Sequence, residues 1–565
     1  MIQALLRHPF TAFVAVVLLY LLAVPVDIME VDSAQYYAMS HEMLERGNWL
    51  EFTDRAKPYL DKPPLIFWIT GLFFSILGES ELAFKLPSIL FSILGIYATY
   101  RLARLFYARE TAVFAALMLA TTQGYYHFNN DVRTDAYLTN SVIAACWMLA
   151  EFLYGQRKSF WWLGGFAFIG LAMLAKGPMG LVAPVAAFGV HILLKREWRS
   201  LFRWQWLAGL LVVAAVLSPM MWGLYTQFDM HPELEVNAKT GVSGLRFYFW
   251  EQSFGRITGE NVWKNDTGPF FFVHNLAWSF LPWTLLLFGA LFQRLKSAIR
   301  KGYNAVHDYT EWISLGGFLL PFIALSMSKY KLPHYIYVTF PFGAILSASY
   351  FEWLCREASE KVQAGFRIAL TGVLTACWIF GALIFGWMFP LKNPILLAVA
   401  LLGLFLFVRY ARNAKASFFG RFMGMALSAS LTMNVLMAAQ FYPSVLEYQS
   451  SAHVGKYVKA QGIPTDRLFV FECNGRALDV YTGAVQREIN LEGLVDQMKD
   501  RTSGAPLLVY TQREGRETLD RAGIRYVQRY ERPHYAVTLL TMNFGNPATR
   551  ESVLNRGYLL ELLPQ

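Results

Sequence analysis

The stretch PPLIFWITGLFFSILG (63–78) decides how the rest of this chain is arranged. It is apolar enough to enter a bilayer, but it is short and opened by two prolines. A spanning helix needs about 20 apolar residues. A shorter apolar helix behind a proline pair reads as one lying in the membrane interface. If it spanned, every loop downstream would change sides.

Working outward, thirteen other segments read as spans: 9–26, 86–104, 110–126, 136–154, 160–175, 178–194, 205–225, 270–292, 312–327, 333–354, 366–388, 394–410 and 419–441. With 63–78 in the interface and the N-terminus inside, the short inner loops collect the arginines and lysines. Arg101, Arg104 and Arg109 fall in the first, Lys195, Arg196, Arg199 and Arg203 in a later one, and Arg409, Arg412, Lys415 and Arg421 in the last. That is the positive-inside pattern. It predicts a cytoplasmic N-terminus and gathers the remaining polar features on the outer face. These are the loops 27–85 and 226–269, the bends 127–135 and 328–334, Lys176, and a tail after 441.

Composition agrees. Of 565 residues, 55% are hydrophobic and 16% charged, against about a quarter charged in soluble domains. The formal net charge is +10, yet the chain after residue 442 holds 15 Lys/Arg and 14 Asp/Glu. The surplus therefore lies in the membrane part and reads as an orientation signal, with no nucleic-acid partner implied. Four cysteines show no paired spacing, so neither a disulfide framework nor a cysteine zinc site is expected. The apolar run from Pro9 to Val26 is long and lacks an A-x-A site, and reads as an uncleaved first span. The expected architecture is a polytopic α-helical membrane domain over 1–441 and a soluble α/β domain over 442–565. Strands are predicted at 467–472, 506–511, 524–530 and 535–542.

The candidate chemistry sits on the outer features. VDSAQYYAMSHEMLERGNW (31–49) starts an amphipathic helix with Asp32 at its head. Asp there caps a helix; an acid just outside a membrane also suits a general base facing a bilayer-borne substrate. KPYLDKPPLIFW (57–68) sets Asp61 and Lys62 at the surface, where a lysine snorkels or clamps a lipid phosphate. HFNNDVRTDAYLTN (127–140) brings Asp131, Arg133 and Asp135 to the start of a span, as caps or as groups that hold a metal or orient a sugar. LAKGPMG (174–180) leaves Lys176 as another outward cation. MSKYKLPHYIY (327–337) puts Lys329, Lys331 and Tyr335 on one turn, which suits a phosphate. The aromatic-rich YFWEQSFGRITGENVWKNDTGPFFF (248–272) reads as interface anchors or as a groove for a sugar or prenyl chain. His127, His231, His274 and His334 make no ligand pattern and read as structural.

Taken in order, Asp32 with its YxxMSxEML-type helix, Y-x-[DE]-K-P at 59–63, K-G at 176–177 and SKxKLPxY at 328–335 resemble one set of proteins over about residues 1–440. These are the bacterial aminoarabinose transferases of lipid A and the wider protein O-mannosyltransferase-like GT-C glycosyltransferases. The resemblance implies a GT-C fold and an inverting transfer of sugar from a polyprenyl-phosphate donor to an acceptor hydroxyl or phosphate. The acceptor would be a lipid, glycan or protein at the outer face of the inner membrane, with the C-terminal domain in the periplasm. It implies Asp32 as the essential acid, Asp135 as a further acid, Lys62 and Tyr335 as phosphate contacts, and Arg256 as a loop arginine. Three departures stand out: Gln35 replaces the arginine three residues after the acid, Asp61 replaces a Glu, and Lys264 and Asn265 stand where a loop histidine is expected. No cofactor is specified; Asp61 and Asp131 are the carboxylates left as candidates for a divalent metal.

The chemistry is coherent. A sugar phosphate already carries its leaving group, so one carboxylate can deprotonate the acceptor while cations take up the developing phosphate charge. Lys62, with Lys329 or Lys331, Lys176 and Tyr335, is the expected clamp. A flippase of lipid-linked glycans would call for polar residues within opposed spans and internal symmetry, and neither is visible. A non-catalytic envelope assembly protein would work without Asp32.

Overall fold

The computed structural model describes residues 9–155, 160–252, 255, 265, 267–413, 415–499 and 506–563. Helix occupies each of the thirteen segments read as spans. Six of the described helices are long and apolar enough to cross a membrane: Glu81–Phe106, Thr134–Tyr154, Trp198–Asp229, Glu360–Met388, Pro394–Arg412 and Phe418–Leu446. Their burial separates a protein core from a lipid-facing side. Thr134–Tyr154 is almost wholly covered by its neighbours, whereas Pro394–Arg412 exposes Ile395, Leu397, Leu401, Leu402 and Phe405. Leucine-rich faces left open on helices of this length are solvated by hydrocarbon, not water. The chain is a multi-pass membrane protein.

Small residues let the helices approach. A Cβ on Gly95 would sit 1.9 Å from Asn140 Oδ1 and 2.9 Å from the Tyr125 hydroxyl. Those two groups are hydrogen-bonded at 2.6 Å across the crossing. One expected span is corrected. The segment 270–292 is not a single helix but Phe271–Ser279 and Thr284–Asp308, broken at 280–283. Pro282 lacks an N–H and its ring would meet the carbonyl four residues back.

The segment 63–78 forms the helix Leu65–Leu77, 13 residues long. That is about 20 Å at 1.5 Å per residue, short of the ~30 Å hydrocarbon core. Ile66, Phe67, Thr70 and Phe74 are buried while Leu72, Ile76 and Leu77 are open.

The C-terminal part carries a five-stranded sheet in the order Arg487–Ile489, Leu468–Phe471, Leu507–Gln512, Asn555–Leu562, Tyr526–His534. The first three run parallel and the last two join antiparallel. Leu468–Phe471 is buried throughout and sits between helical layers. Val454, Val458 and Leu478 pack on one face, Leu494 and Leu519 on the other. The strand expected over 535–542 is absent. Val537 and Phe544 instead join Met388, Phe389 and Leu446, so this apolar run covers the ends of membrane helices and pairs with no strand.

The sheet-bearing part is fastened to the loop that follows the helix Pro9–Leu21. Lys456 pairs with Asp27 at 2.7 Å, and Glu30 accepts from Ser451 Oγ and Ala477 N at 2.7 Å each. Arg55 meets Asp479 at 2.9 Å with both side chains almost fully buried.

Candidate active site

Asp32 opens the helix Asp32–Arg46, in the first turn, where the helix dipole favours a carboxylate. The helix stops at Gly47, whose φ of 63° is the left-handed conformation glycine adopts freely. One turn short of that stop, Glu42 holds the next loop. Thr53–Asp54 and Lys57–Pro58 pair as a small hairpin across Arg55 and Ala56, both at positive φ. Each non-glycine residue there costs about 1–2 kcal/mol. Glu42 offsets this by accepting from Arg55 N and Ala56 N, both at 3.0 Å, and from Thr53 Oγ1. The hairpin delivers Asp61 and Lys62, which pair at 2.6 Å.

The second wall is the bend before the helix Thr134–Tyr154. Val132 is buried at φ 51°, a conformation β-branched residues rarely adopt, and strain of this kind concentrates at functional sites. On either side of it, Asp131 and Arg133 pair at 2.6 Å, and Arg133 Nη1 also donates to Asp32 Oδ2. Burial opposes the Arg133 charge, but the carboxylates of Asp131 and Asp32 outweigh it and hold the guanidinium above its ordinary pKa. Burial also pushes the Asp131 carboxyl up, with Arg133 pulling the other way. Asp32 is the open member of this set, its side chain 36% exposed against 14% for Asp131.

The third wall carries Lys176 at the end of Trp161–Lys176. Its ammonium pairs with Asp135 and stands 4.0 Å above the Tyr335 ring, a cation–π geometry. His334 Nε2 lies 3.6 Å from the other Asp135 oxygen, and the Asp135 side chain is 5% exposed.

These walls enclose a cavity of about 800 Å³, in the range of ligand sites. Of the residues singled out in the sequence, Asp32, Gln35, Asp61, Lys62, Asp135, Lys176 and Tyr335 line it. Lys329 and Lys331 do not: Lys329 is exposed, and the buried Lys331 ammonium donates to Thr267 O at 3.0 Å. The turn therefore delivers Tyr335 but not its cations, because a backbone carbonyl engages Lys331. Arg256 and Lys264 lie outside the described residues. The two metal candidates line different cavities. Asp61 lines this cavity, whereas Asp131 lies behind Arg133 against a neighbouring one. Among the described residues, no three His, Cys, Asp or Glu side chains gather to hold an ion.

Sequence reasoning missed Arg133 as a partner of Asp32 and His334 as a partner of Asp135, although both sit inside quoted motifs. Asp54 and Arg476 were missed altogether. Both line the cavity and pair with one another across 422 positions of sequence, and no local pattern signals such a contact.

Comparison with known proteins gives a consistent picture. Residues 61–222 match the family described as dolichyl-phosphate-mannose-protein mannosyltransferase. The undecaprenyl phosphate-alpha-4-amino-4-deoxy-L-arabinose arabinosyl transferase of Edwardsiella ictaluri is 28% identical over 370 residues, 64% of this chain and 62% of that protein. The Pseudomonas paraeruginosa protein of the same name is 28% identical over 312 residues, 54% of this chain and 52% of its own. The matched region thus spans less than two thirds of these curated relatives. The crystal structure of ArnT from Cupriavidus metallidurans bound to undecaprenyl phosphate superposes with a TM-score of 0.71 at 18% identity, covering 92% of this chain and 96% of that one. At that identity the likeness establishes the fold.

Proposed function

We propose that this chain, a relative of the aminoarabinose transferases with their GT-C fold, is an inverting glycosyltransferase of the inner membrane. It moves a sugar from a polyprenyl-phosphate donor to an acceptor at the outer face. The observation that carries the reading is one cavity of about 800 Å³ onto which the Asp32 carboxylate and the Lys62 and Lys176 side chains all open. In this reading residues 1–441 form the catalytic membrane domain and 442–565 a periplasmic domain, with the N-terminus cytoplasmic. The arginine- and lysine-rich loops supply the orientation.

Bond cleavage leaves the lipid phosphate with an extra negative charge. Lys62, beside the interfacial helix Leu65–Leu77, meets that phosphate as the prenyl chain lies along the open face of Leu72 and Ile76. Lys176, held over Tyr335, stabilises the same charge from the opposite wall. Asp32 takes the proton from the acceptor hydroxyl as its oxygen attacks the anomeric carbon. Arg133 fixes the direction of that carboxylate through Oδ2 and leaves Oδ1 for the acceptor. Asp135, closed in by Lys176 and His334, orients the lysine and touches the sugar only at the cavity wall.

The test compares membranes from cells lacking the protein, carrying it, or carrying Asp32→Asn, after metabolic labelling of sugars. Wild-type protein should consume a labelled polyprenyl-phosphate sugar and shift the mass of an acceptor. Asp32→Asn should lower transfer by about 10²–10⁴ while the protein remains folded. Turnover near wild type in Asp32→Asn removes Asp32 from the mechanism, and an unchanged lipid-sugar pool removes the transferase reading.

A further inference from the structure

The cavity is built mostly from the membrane domain, yet Arg476, far along the chain, reaches into it. We propose that Arg476 is a positioning residue that sets the orientation of the Asp32-bearing helix through Asp54 and Gln35. The proposal rests on the transferase reading above and adds a role for the sheet-bearing part of the chain.

The contacts form an unbroken line. Gln35 Nε2 donates to Asp54 Oδ2 at 2.7 Å. The other oxygen of the same carboxylate, Oδ1, accepts from Arg476 Nη1. Arg476 Nη2 is in turn 3.8 Å from Glu488, which also pairs with Lys57. Asp54 and Arg476 are 12% and 15% exposed, so the pair is largely removed from solvent screening. Gln35 is three residues after Asp32, and residues at that spacing stand side by side on a helix. Fixing the Gln35 amide therefore fixes the rotation of the face that carries Asp32.

The neighbouring residue acts on the other side. Ala477 N donates to Glu30 at 2.7 Å, two residues before Asp32, and Glu30 is buried. Residues 476 and 477 thus hold the Asp32 segment from before and after. A general base must meet its proton within about 3 Å, and a small rotation of the helix moves a carboxylate by that order. Lys176 and Tyr335 come from other segments and do not share this restraint, whereas Lys62 follows the Asp54 hairpin.

The experiment uses the full-length protein in lipid vesicles. Its donor is the radiolabelled polyprenyl-phosphate sugar that the wild-type protein consumes, and its acceptor is the extract from the cells that supplied it. Gln35→Leu should lower kcat tenfold or more with the donor KM within twofold of wild type, and Arg476→Gln should lower kcat at least tenfold. The double variant should be no worse than the poorer single variant by more than twofold, since both break the same line. Arg476→Lys should recover part of kcat. Protease resistance at the Arg55–Asp479 junction checks folding, and if Arg476→Gln loses it, Arg476→Lys with Gln35→Leu carries the comparison. An unchanged kcat, multiplicative effects in the double variant, or a change confined to the acceptor KM overturns the proposal. A wild-type protein that consumes no donor overturns the transferase reading and this proposal with it.

Discussion

Arg55→Met probes how the C-terminal part is held against the loop that forms the cavity. Arg55 and Asp479 are paired at 2.9 Å with side chains 2% and 0% exposed. Arg55 also donates to Gly475 O at 3.1 Å and to Glu488, which is 41% exposed and contributes little after solvent screening. Removing one partner of a buried pair leaves a stranded charge and costs about 3–5 kcal/mol, roughly a thousandfold in the opening equilibrium. Burial already pushes the Asp479 carboxyl up to about 6, with Arg55 pulling it down. A carboxyl raised in the folded state contributes stability below its unfolded pKa of about 3.9 and loses it as pH rises through 6. Without Arg55 the carboxyl rises further, so the variant can relieve its stranded charge by taking up a proton. The cost should be largest near pH 8 and shrink toward pH 5. Hydrogen exchange of the helix Arg476–Thr482, measured at both pH values, reads this local opening directly. The double variant Arg55→Met/Asp479→Leu should recover part of the loss, because the stranded charge is gone while Gln486 N loses its acceptor. Protection equal to wild type at pH 8, or an identical loss at both pH values, refutes the reasoning.

Three further outcomes follow from the geometry. Lys62→Ala should raise the donor KM about tenfold, the loss of one charge-assisted contact, while kcat for bound donor changes less; initial-rate kinetics separate the two. Lys176→Met removes the ammonium paired with the buried Asp135, and should cost about 3 kcal/mol and lower turnover, read by thermal inactivation and transfer assays together. Gly95→Ala places a methyl against Asn140 and Tyr125, where overpacking costs about 1–3 kcal/mol. A thermal midpoint equal to wild type for that variant would show that the two helices separate freely.

The membrane helices were legible because a bilayer imposes a single requirement, long apolar runs, that hydropathy reports without tertiary knowledge. The exception is 280–283, where apolar residues on both sides of Pro282 keep the run continuous in hydropathy although the helix breaks there. In the C-terminal part, Leu468–Phe471 and Leu507–Gln512 were visible as buried apolar runs. Asn555–Leu562 was not, since it opens with Asn-Arg-Gly, yet it fills an interior position of the sheet. The run at 535–542 misled in the other direction: its apolar residues serve the ends of membrane helices, which period-two alternation cannot distinguish from a strand. Within the cavity, residues carried by compact motifs came together as expected. Lys331 failed because its competitor, the Thr267 carbonyl, belongs to another segment. Arg476 and Asp54 were invisible because each looks like an ordinary surface charge until the fold pairs them.

The fastening of residues 449–488 onto 27–57 also sets a schedule for biosynthesis. Arg55 and Asp479 lie 424 positions apart, which at 5–20 residues per second separates their emergence by roughly 20 to 80 s. Until the later partner arrives, the strained Arg55–Ala56 turn has only Glu42 to hold it, and the Asp54 carboxylate lacks Arg476. A half-made chain already threaded into the bilayer therefore has a cavity with one wall missing, and Arg476 and Glu488 close it when the sheet folds down onto its own first loop.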